Sequence, residues 1–235
     1  MNKAKKGEKK GKKKEIEKEK EKEGEEEEEL EEEEENEEEE TIQVKAILLG
    51  ETGVGKTNLA NSIVDLRFDP NSKATVNSLY IQKKMNIFGK DFEIRLWDTA
   101  GQEQYRALTK LFYQDSKVVV FVYDITNKTS FTELNYWINE IKESLGDEPV
   151  LGVVGNKSDM EELKEVSDDV AEKFAKEHGM ELKLLSIKED PKSFKLFLRK
   201  LVKDYLSKKF NINENNSFNL ESNHDMDNHG SCLLF

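Results

Sequence analysis

The sequence has a single cysteine, no long hydrophobic run and fewer basic than acidic residues. One cysteine among 235 residues cannot form an internal disulfide or a cysteine-rich zinc site, which favours a reducing compartment. The longest apolar run, Val118 to Tyr123, is far shorter than the roughly 20 residues that cross a bilayer. No apolar core follows the lysines near the N-terminus, so we expect no secretory signal.

The acidic charge is concentrated at one end of the chain. Residues 1–40 contain 11 of the 37 basic and 20 of the 50 acidic residues, whereas the remaining residues are nearly balanced, with 26 basic and 30 acidic. Proteins that bind DNA or RNA present a basic footprint, which a net charge of −13 does not provide. We therefore predict no nucleic acid partner.

Composition divides the chain into a central domain and two tails. Residues 1–40 are rich in Lys and Glu and cannot bury apolar surface, so we expect disorder there. Partial helix and a dedicated basic partner for the glutamates remain alternatives. Residues 209–235 are rich in asparagine and are predicted to form a flexible tail. Residues 41–208 have a normal size for one domain with its own core.

Within this domain, segments with strand and helix periodicity alternate. The predicted strands are Val44–Leu49, Leu79–Phe88, Phe92–Trp97, Val118–Tyr123, Val150–Val154 and Leu182–Leu185. The predicted helices are Leu59–Leu66, Phe131–Leu145, Val166–His178 with a cap at Ser167, and Phe194–Leu206. This order predicts an α/β fold with an open, six-stranded, mostly parallel sheet and helices on both faces. Ligands of such sheets bind in the loops beyond the carboxyl ends of the strands.

A phosphate-binding loop follows the first predicted strand. Residues 50–57 fit the pattern G-x-x-x-x-G-K-[ST], in which backbone N–H groups curl around phosphate oxygens at a helix N-terminus. Lys56 would reach the β- and γ-phosphates, and the Thr57 hydroxyl would bind Mg²⁺. The alternative is an ordinary glycine turn before a helix. The residues expected to surround the phosphates are Thr52, Gly53, Val54, Gly55, Lys56 and Thr57.

Two further loops complete the predicted site. Asp98 ends a strand and suits a second-shell Mg²⁺ ligand, Gly101 can approach the γ-phosphate, and Gln102 can orient an attacking water. In the later loop, Asp159 can accept two hydrogen bonds from the N1–H and N2–H₂ edge of guanine, which adenine does not offer. There Lys157 would lie along the base plane, and Asn156 would connect this loop to the phosphate loop.

These three loops, in this order and spacing, resemble those of the Ras-like small GTPases. Trp97–Glu103 matches the family motif, and the stretch 105–109 is similar to the segment that follows it in the Rab subfamily. The tripeptide 68–70 and the cysteine near the C-terminus agree as well. The resemblance implies a P-loop NTPase G domain that binds GTP and GDP with Mg²⁺ and hydrolyses GTP. It further implies a monomer acting as a membrane-associated switch in vesicle trafficking.

The resemblance also assigns roles to individual residues. Thr75 matches the switch threonine that binds Mg²⁺ and the γ-phosphate, and Phe68 matches the aromatic that packs on guanine. Gln102 matches the water-positioning glutamine. The remaining base contacts correspond to Ser186, Ile187 and Lys188. The sequence supplies no arginine where the family would provide one in cis, so fast turnover implies a GTPase-activating protein, and GDP release implies an exchange factor.

Several residues depart from the family pattern. Ile187 replaces a small residue beside the base, and Asn77 replaces a glycine in the effector region. Gln104 replaces an arginine, and Phe112-Tyr113-Gln114 replaces a Tyr-Tyr-Arg stretch. Thr52 is larger than the usual serine and predicts slow hydrolysis. A GTP-binding interaction module with negligible hydrolysis is therefore the alternative function, and an ATPase of another P-loop family is a third.

The last four residues, Cys232 to Phe235, fit the prenylation pattern C-a-a-X, with a final Phe that favours geranylgeranyl. The alternative is a lone cysteine in a frayed apolar end. A single lipid binds membranes only marginally, a second cysteine is missing, and Asn2 argues against myristoylation. We therefore expect reversible attachment to the cytoplasmic face of an intracellular membrane, with a cytosolic pool held by a lipid-shielding carrier.

Overall fold

The computed structural model describes residues 42–65, 68–70, 79–99 and 106–212. Within these residues, strands and helices alternate as the sequence predicts. The strands are β1 (Gln43–Leu49), β2 (Leu79–Ile87), β3 (Lys90–Asp98), β4 (Val118–Asp124), β5 (Val150–Asn156) and β6 (Glu181–Leu184). The helices are α1 (Lys56–Ile63), α2 (Arg106–Tyr113), α3 (Lys128–Thr132), α4 (Leu134–Leu145), α5 (Asp168–Glu177) and α6 (Pro191–Phe210), with a 3₁₀ turn at Glu161–Leu163.

The strands form one sheet in the order β2-β3-β1-β4-β5-β6. Only β2 runs antiparallel to its neighbour, and it is joined to β3 by the predicted hairpin turn at Gly89. All seven residues of β4 are buried, as expected for a central strand covered on both faces. The predicted six-stranded, mostly parallel sheet is confirmed.

Helices cover both faces of the sheet and divide the core in two. On one face, α1 and α6 pack through residues such as Leu59 and Leu201. On the other, α4 and α5 pack through residues such as Trp137 and Ala175. We call these the α1/α6 face and the α4/α5 face. Strand β3 alternates between them, with Leu96 in the first core and Trp97 against the second.

The helix predicted over Phe131–Leu145 is two helices, α3 and α4, that meet at Glu133. The helical segment begins earlier than predicted because the Asn127 side chain accepts the Ser130 N–H at 3.1 Å and caps α3. At the junction, the Tyr136 N–H bonds the Glu133 carbonyl only three residues back, which interrupts the α-helical ladder. Helix α2 was not predicted.

The prediction that Ser167 caps α5 is confirmed for its position but not for its side chain. Ser167 occupies the N-cap position of α5, but its side chain makes no capping hydrogen bond. The preceding residues Glu165 and Val166 donate their N–H groups to the Ile125 carbonyl, which keeps the chain outside the helix until Asp168. Gly179 then follows the helix at φ 64°, as predicted.

Helix α6 is longer at both ends than the predicted Phe194–Leu206. It begins at Pro191 because the Asp190 carboxylate accepts the Lys192 N–H at 3.2 Å, and it ends at Phe210, before Asn211 in the left-handed region. It therefore runs two residues into the predicted C-terminal tail. None of the described helices is long and apolar enough to span a bilayer. Helix α1 ends at Ile63, three residues before the predicted end at Leu66, and Asp65 adopts a left-handed conformation with φ 61°. The tail 1–40 lies outside the described residues.

Candidate active site

A cavity of about 620 Å³ lies beyond the carboxyl ends of the parallel strands. Most of the predicted site residues surround it: Thr52, Gly53, Gly55, Lys56, Thr57, Phe68, Asn156, Lys157, Asp159, Ser186, Ile187 and Lys188. Val54 and Asp98 are buried beneath this lining. The predicted residues Thr75, Gly101, Gln102 and Cys232 lie outside the described part of the chain. Segments more than 100 residues apart thus meet around one cavity, as the loop positions predict.

Backbone constraints shape the loop between β1 and α1. Gly50 and Gly55 have φ angles of 147° and 101°, which side-chain-bearing residues rarely adopt. A Cβ atom on Gly50 would overlap the Val122 carbonyl oxygen, and one on Gly55 would overlap the Asn156 amide nitrogen. The loop therefore needs glycine at both positions, for conformation and for close approach to its neighbours.

Lys56 is held at the base of this loop. Its Nζ atom donates to the carbonyl oxygens of Gly50 and Glu51, each at 2.8 Å, and the residue is only 5% exposed. Burial lowers the pKa of Lys56 to about 8, and the negative charges of Asp98 and Glu51 partly oppose that shift. The ammonium group is thus fixed by the loop that lines the cavity, which suits it to meet a phosphate group.

Thr57 and Asp98 form the oxygen-rich corner of the site. The Thr57 hydroxyl donates to Asp98 Oδ2 at 2.7 Å, because α1 starts beside the end of β3. A hydroxyl and a fully buried carboxylate are the hard oxygen donors that Mg²⁺ prefers, so this pair fits the ion. Among the described residues, no three His, Cys, Asp or Glu side chains cluster as metal ligands.

Asn156 connects the phosphate loop to the base-side loops, as predicted. Its Nδ2 atom donates to the Val54 carbonyl at 2.8 Å, and its Oδ1 atom accepts the Ile187 N–H at 3.2 Å. The side chain is fully buried. One amide therefore joins three segments that are distant in sequence.

The Asp159 carboxylate lines the same cavity and can act as a hydrogen-bond acceptor. Hydrogen bonding from Ser186, and to a smaller extent from Lys188, holds the pKa of the Asp159 carboxyl below its usual value. Lys188 Nζ lies 3.4 Å from the carboxylate, and this contact raises the lysine pKa. Asp159 is therefore ionised at neutral pH and can accept hydrogen bonds from a ligand.

Lys157 adopts a left-handed backbone conformation, with φ 67°, that is unusual for a lysine. Its ammonium forms an ion pair with Asp124, which ends β4 and is 6% exposed. The Asp124 carboxylate also accepts hydrogen bonds from the N–H and hydroxyl of Thr126. This pairing fixes the lysine stem along the cavity wall, and Asp124 was not predicted to take part.

Sequence reasoning also missed Asn58, which clamps the Phe68 segment to α1. Its side chain donates to the Asp69 carbonyl at 3.1 Å and accepts the Asp69 N–H at 3.0 Å. Both residues line the cavity next to Phe68. The tripeptide 68–70 indicated that this segment belongs to the site. Nothing in the sequence except its position after Thr57 indicated that the Asn58 amide holds the segment. Other lining residues that were not predicted are Pro70, Thr99 and Met160.

An aromatic surface lies on the α4/α5 face, away from the cavity. The Trp97 ring centroid lies 5.3 Å from that of Tyr80 and 5.2 Å from that of Phe112. Tyr80 is 42% exposed and the neighbouring Leu111 is 71% exposed. We call these four residues the aromatic surface. Accessible apolar side chains therefore lie beside a cluster of packed aromatic rings.

Comparisons with known proteins decide the family. The Ras family model matches residues 45–207. The chain is 39% identical over 158 residues to the Ras-related protein Rab-21 of Geodia cydonium, covering 67% of this chain and 69% of that protein. It is 39% identical over 154 residues to Rab-21 of Homo sapiens, covering 66% and 68%. It is 34% identical over 174 residues to the Ras-related protein YPTC6 of Chlamydomonas reinhardtii, covering 73% and 81%.

The chain is a Ras-family small GTPase of the Rab subfamily. The predicted family and the predicted GTPase activity are confirmed. An ATPase of another P-loop family is thereby removed as an alternative. Rab GTPases bind GTP and GDP and work with regulators and effectors, and Ras-family GTPases generally depend on Mg²⁺.

Proposed function

We propose that this Rab GTPase binds GTP and GDP in the cavity described above and acts as a membrane-associated switch in vesicle trafficking. The observation that supports the proposal most directly is the contact between Thr57 and Asp98 at 2.7 Å, beside the buried Lys56. It puts a metal-binding corner and an ammonium group at the same end of one cavity. Phosphoryl transfer depends on that combination of charges.

In this proposal, the loop amides from Thr52 to Thr57 and the Lys56 ammonium bind the β- and γ-phosphates. Thr57 and Thr75 would ligate Mg²⁺ directly, and Asp98 would hold the ion from the second shell. When bound, the ion neutralises charge on the phosphate oxygens. The chain itself fixes the phosphates against the N-terminus of α1.

We assign guanine recognition to the opposite end of the cavity. The Asp159 carboxylate accepts the N1–H and N2–H₂ groups of guanine, and Phe68 and the Lys157 stem flank the base. Adenine would leave this carboxylate without its hydrogen bonds, which penalises adenine nucleotides. Ser186, Ile187 and Lys188 complete the pocket through backbone and stem contacts.

For hydrolysis, Gln102 would orient the attacking water and the Gly101 N–H would contact the γ-phosphate. Thr75 and Gly101 would also order the two switch loops in the triphosphate state. Thr52 is exposed at the cavity and limits the room for an incoming arginine. We therefore propose slow intrinsic turnover that depends on a GTPase-activating protein, and GDP release that depends on an exchange factor.

The aromatic surface, with Trp97 at its centre, is our proposed effector contact. Tyr80 follows residues 75–78 in the sequence, the stretch that corresponds to an effector surface in the family. The Tyr80 hydroxyl adds a hydrogen-bonding group to an otherwise apolar surface. We propose partners that present a complementary apolar helix or strand to this surface.

We further propose that the G domain comprises residues 41–208, flanked by a Lys/Glu-rich tail (1–40) and a C-terminal tail (209–235). Cys232 would be prenylated, which places the monomeric protein on the cytoplasmic face of an intracellular membrane. A lipid-shielding carrier would maintain a cytosolic pool. Mass spectrometry of the protein from eukaryotic cells tests the lipid directly, with Cys232→Ser as the control.

The first test identifies the nucleotide released when the purified protein is denatured. Guanine nucleotide in about one equivalent supports the proposal, whereas ATP contradicts it. Single-turnover hydrolysis with Mg²⁺ then compares wild type with Gln102→Leu and with Gln114→Leu, an exposed glutamine outside the cavity. We expect only Gln102→Leu to slow hydrolysis, by 10²-fold or more. Equal and negligible rates in all three would instead support the interaction module without catalysis.

A further inference from the structure

Helix α6 has a charge opposite to that of the whole chain. It contains seven basic residues and one acidic residue, Asp204, in a protein with a net charge of −13. The other long helices, α4 and α5, each contain more acidic than basic residues. Helix α6 is therefore the only net basic one among these three long helices of the described domain.

Four of the exposed residues of α6 form a line along its outer face. Lys192, Leu196, Arg199 and Lys203 follow one another at intervals of three or four residues, which puts them on one side of a helix. All four are exposed, and Leu196 is 66% exposed. We call these four residues the α6 basic face. The opposite side of the helix is buried in the core of the α1/α6 face.

Carboxylates neutralise the flanks of this face but not its centre. Lys195 pairs with Asp65 at 3.3 Å, and Lys200 pairs with Glu181 at 2.9 Å. Within the part of the chain that the structure describes, Lys192, Arg199 and Lys203 have no such partner.

Arg199 and Lys203 contact neutral groups of the β2–β3 hairpin. The Arg199 guanidinium donates to the Asn86 carbonyl at 2.7 Å, and Lys203 Nζ lies 5.4 Å from the centroid of the Phe88 ring. These contacts orient both side chains without neutralising their charges, although Asp204 attracts Lys203 electrostatically.

We propose that the α6 basic face binds the anionic headgroups of a membrane surface. Each Lys or Arg at such a surface strengthens binding by roughly fivefold, and an exposed leucine among the charges can enter the headgroup region. This inference rests on the membrane role proposed above, since a single lipid chain binds only marginally and needs a second signal. The residues just before Cys232 are not polybasic, so the second signal must come from elsewhere in the chain.

The position of α6 is compatible with a lipid attached at Cys232. The helix ends at Phe210, 22 positions before Cys232. A flexible chain of about 22 residues, which the sequence predicts for this tail, has a root-mean-square end-to-end distance of about 25 Å. A bilayer in contact with the α6 basic face is therefore within reach of the lipid. The aromatic surface lies on the opposite face of the sheet, so it would point away from the membrane and stay accessible to a protein partner.

The test uses the full chain and does not require natural prenylation. Cys232 is the sole cysteine, so a maleimide with one saturated acyl chain can be attached there. Partition onto phosphatidylcholine vesicles is compared with partition onto vesicles that also contain phosphatidylserine. The first variant combines Lys192→Glu, Arg199→Glu and Lys203→Glu.

The matched control combines Lys142→Glu, Lys173→Glu and Lys176→Glu, which make the same charge change on exposed positions of α4 and α5. We expect phosphatidylserine to strengthen wild-type partition. The α6 variant should lose more than about 100-fold on those vesicles, because it removes three positive charges worth about fivefold each and adds three negative ones. The control variant should stay close to wild type, because screening limits its effect to about 8 Å. High salt should remove the difference.

Circular dichroism checks that each variant is folded. A milder set, Lys192→Gln, Arg199→Gln and Lys203→Gln, repeats the test without charge reversal. The proposal is overturned if phosphatidylserine does not strengthen the partition of the wild-type protein onto vesicles. It is also overturned if the α6 variant and the control variant are weakened equally. A missing natural prenyl group would contradict the function proposed for Cys232 but would leave this result unaffected.

Discussion

Asn156→Ala should be among the most damaging substitutions at the site, although Asn156 need not touch a ligand. The side chain is fully buried and makes one hydrogen bond to the Val54 carbonyl and one to the Ile187 N–H. Alanine fills less space and offers neither donor nor acceptor. Both backbone groups would then remain buried without the partner that the amide supplies.

The magnitude follows from those two groups. Leaving a buried donor or acceptor unsatisfied costs about 1–3 kcal/mol, so the two together should lower the free energy of unfolding by about 2–6 kcal/mol. Loss of the bridge also releases the phosphate loop from the Ile187 segment. We therefore expect faster GDP dissociation in addition to lower stability. Urea unfolding measures the first effect, and release of a fluorescent GDP analogue measures the second.

Asn135→Ala provides the matched control. Asn135 is exposed on α4, where its amide donates to the Thr132 carbonyl at 3.0 Å and water can replace the bond. This variant should unfold within about 0.5 kcal/mol of wild type and release GDP at the wild-type rate. If Asn156→Ala is no more destabilised than Asn135→Ala, the bridge does not hold the loops together and the reasoning is refuted.

Three further predictions concern the base, the phosphate-binding lysine and the core. Asp159→Asn should weaken GDP binding by about 10³-fold or more. It should also favour xanthosine diphosphate, because the amide N–H can donate a hydrogen bond to the carbonyl at C2 of that base. Competition binding measures both effects. Affinity for GDP should fall as pH rises above about 8, since Lys56 then loses the charge that the phosphates need, and Lys56→Met should remove this dependence. Gly155→Ala should cost about 1–3 kcal/mol in urea unfolding, because its Cβ would lie 2.5 Å from the Tyr123 hydroxyl. That hydroxyl has no hydrogen-bond partner among the described residues, so Tyr123→Phe should add about 1 kcal/mol and partly rescue Gly155→Ala.

The mostly parallel sheet and the location of the cavity follow from local patterns in the sequence. The apolar run Val118–Tyr123, rich in β-branched residues, predicts a strand buried on both faces, and the glycine-rich loop after β1 predicts phosphate binding. Once parallel strands are inferred, their carboxyl ends must share one edge. The sequence therefore predicts that the loops containing Lys56, Asp98 and Asp159 lie close together at that edge.

The parts that the sequence did not predict depend on contacts between distant segments. Nothing near Asp124 in the sequence indicates that its carboxylate will hold Lys157, because that pairing exists only after β4 and β5 are aligned. Asn58 likewise becomes a clamp only when residue 69 returns beside α1. The predicted start of α5 was wrong for a related reason. The Val166 N–H donates to the carbonyl of the distant residue Ile125, and α5 therefore begins only at Asp168.

Close packing of the phosphate loop against the base-side loops has a consequence for how the protein distinguishes ligands. Gly55 approaches the Asn156 amide so closely that any side chain would collide with it, and the same amide fixes the backbone at Ile187. Asn156 lies only three residues before Asp159 in the chain. We therefore expect a shift of the phosphate loop to displace Asp159 as well, without any large rearrangement. For this reason a nucleotide with the wrong base should be penalised at its phosphates as well, because it cannot stabilise both ends of the same rigid unit.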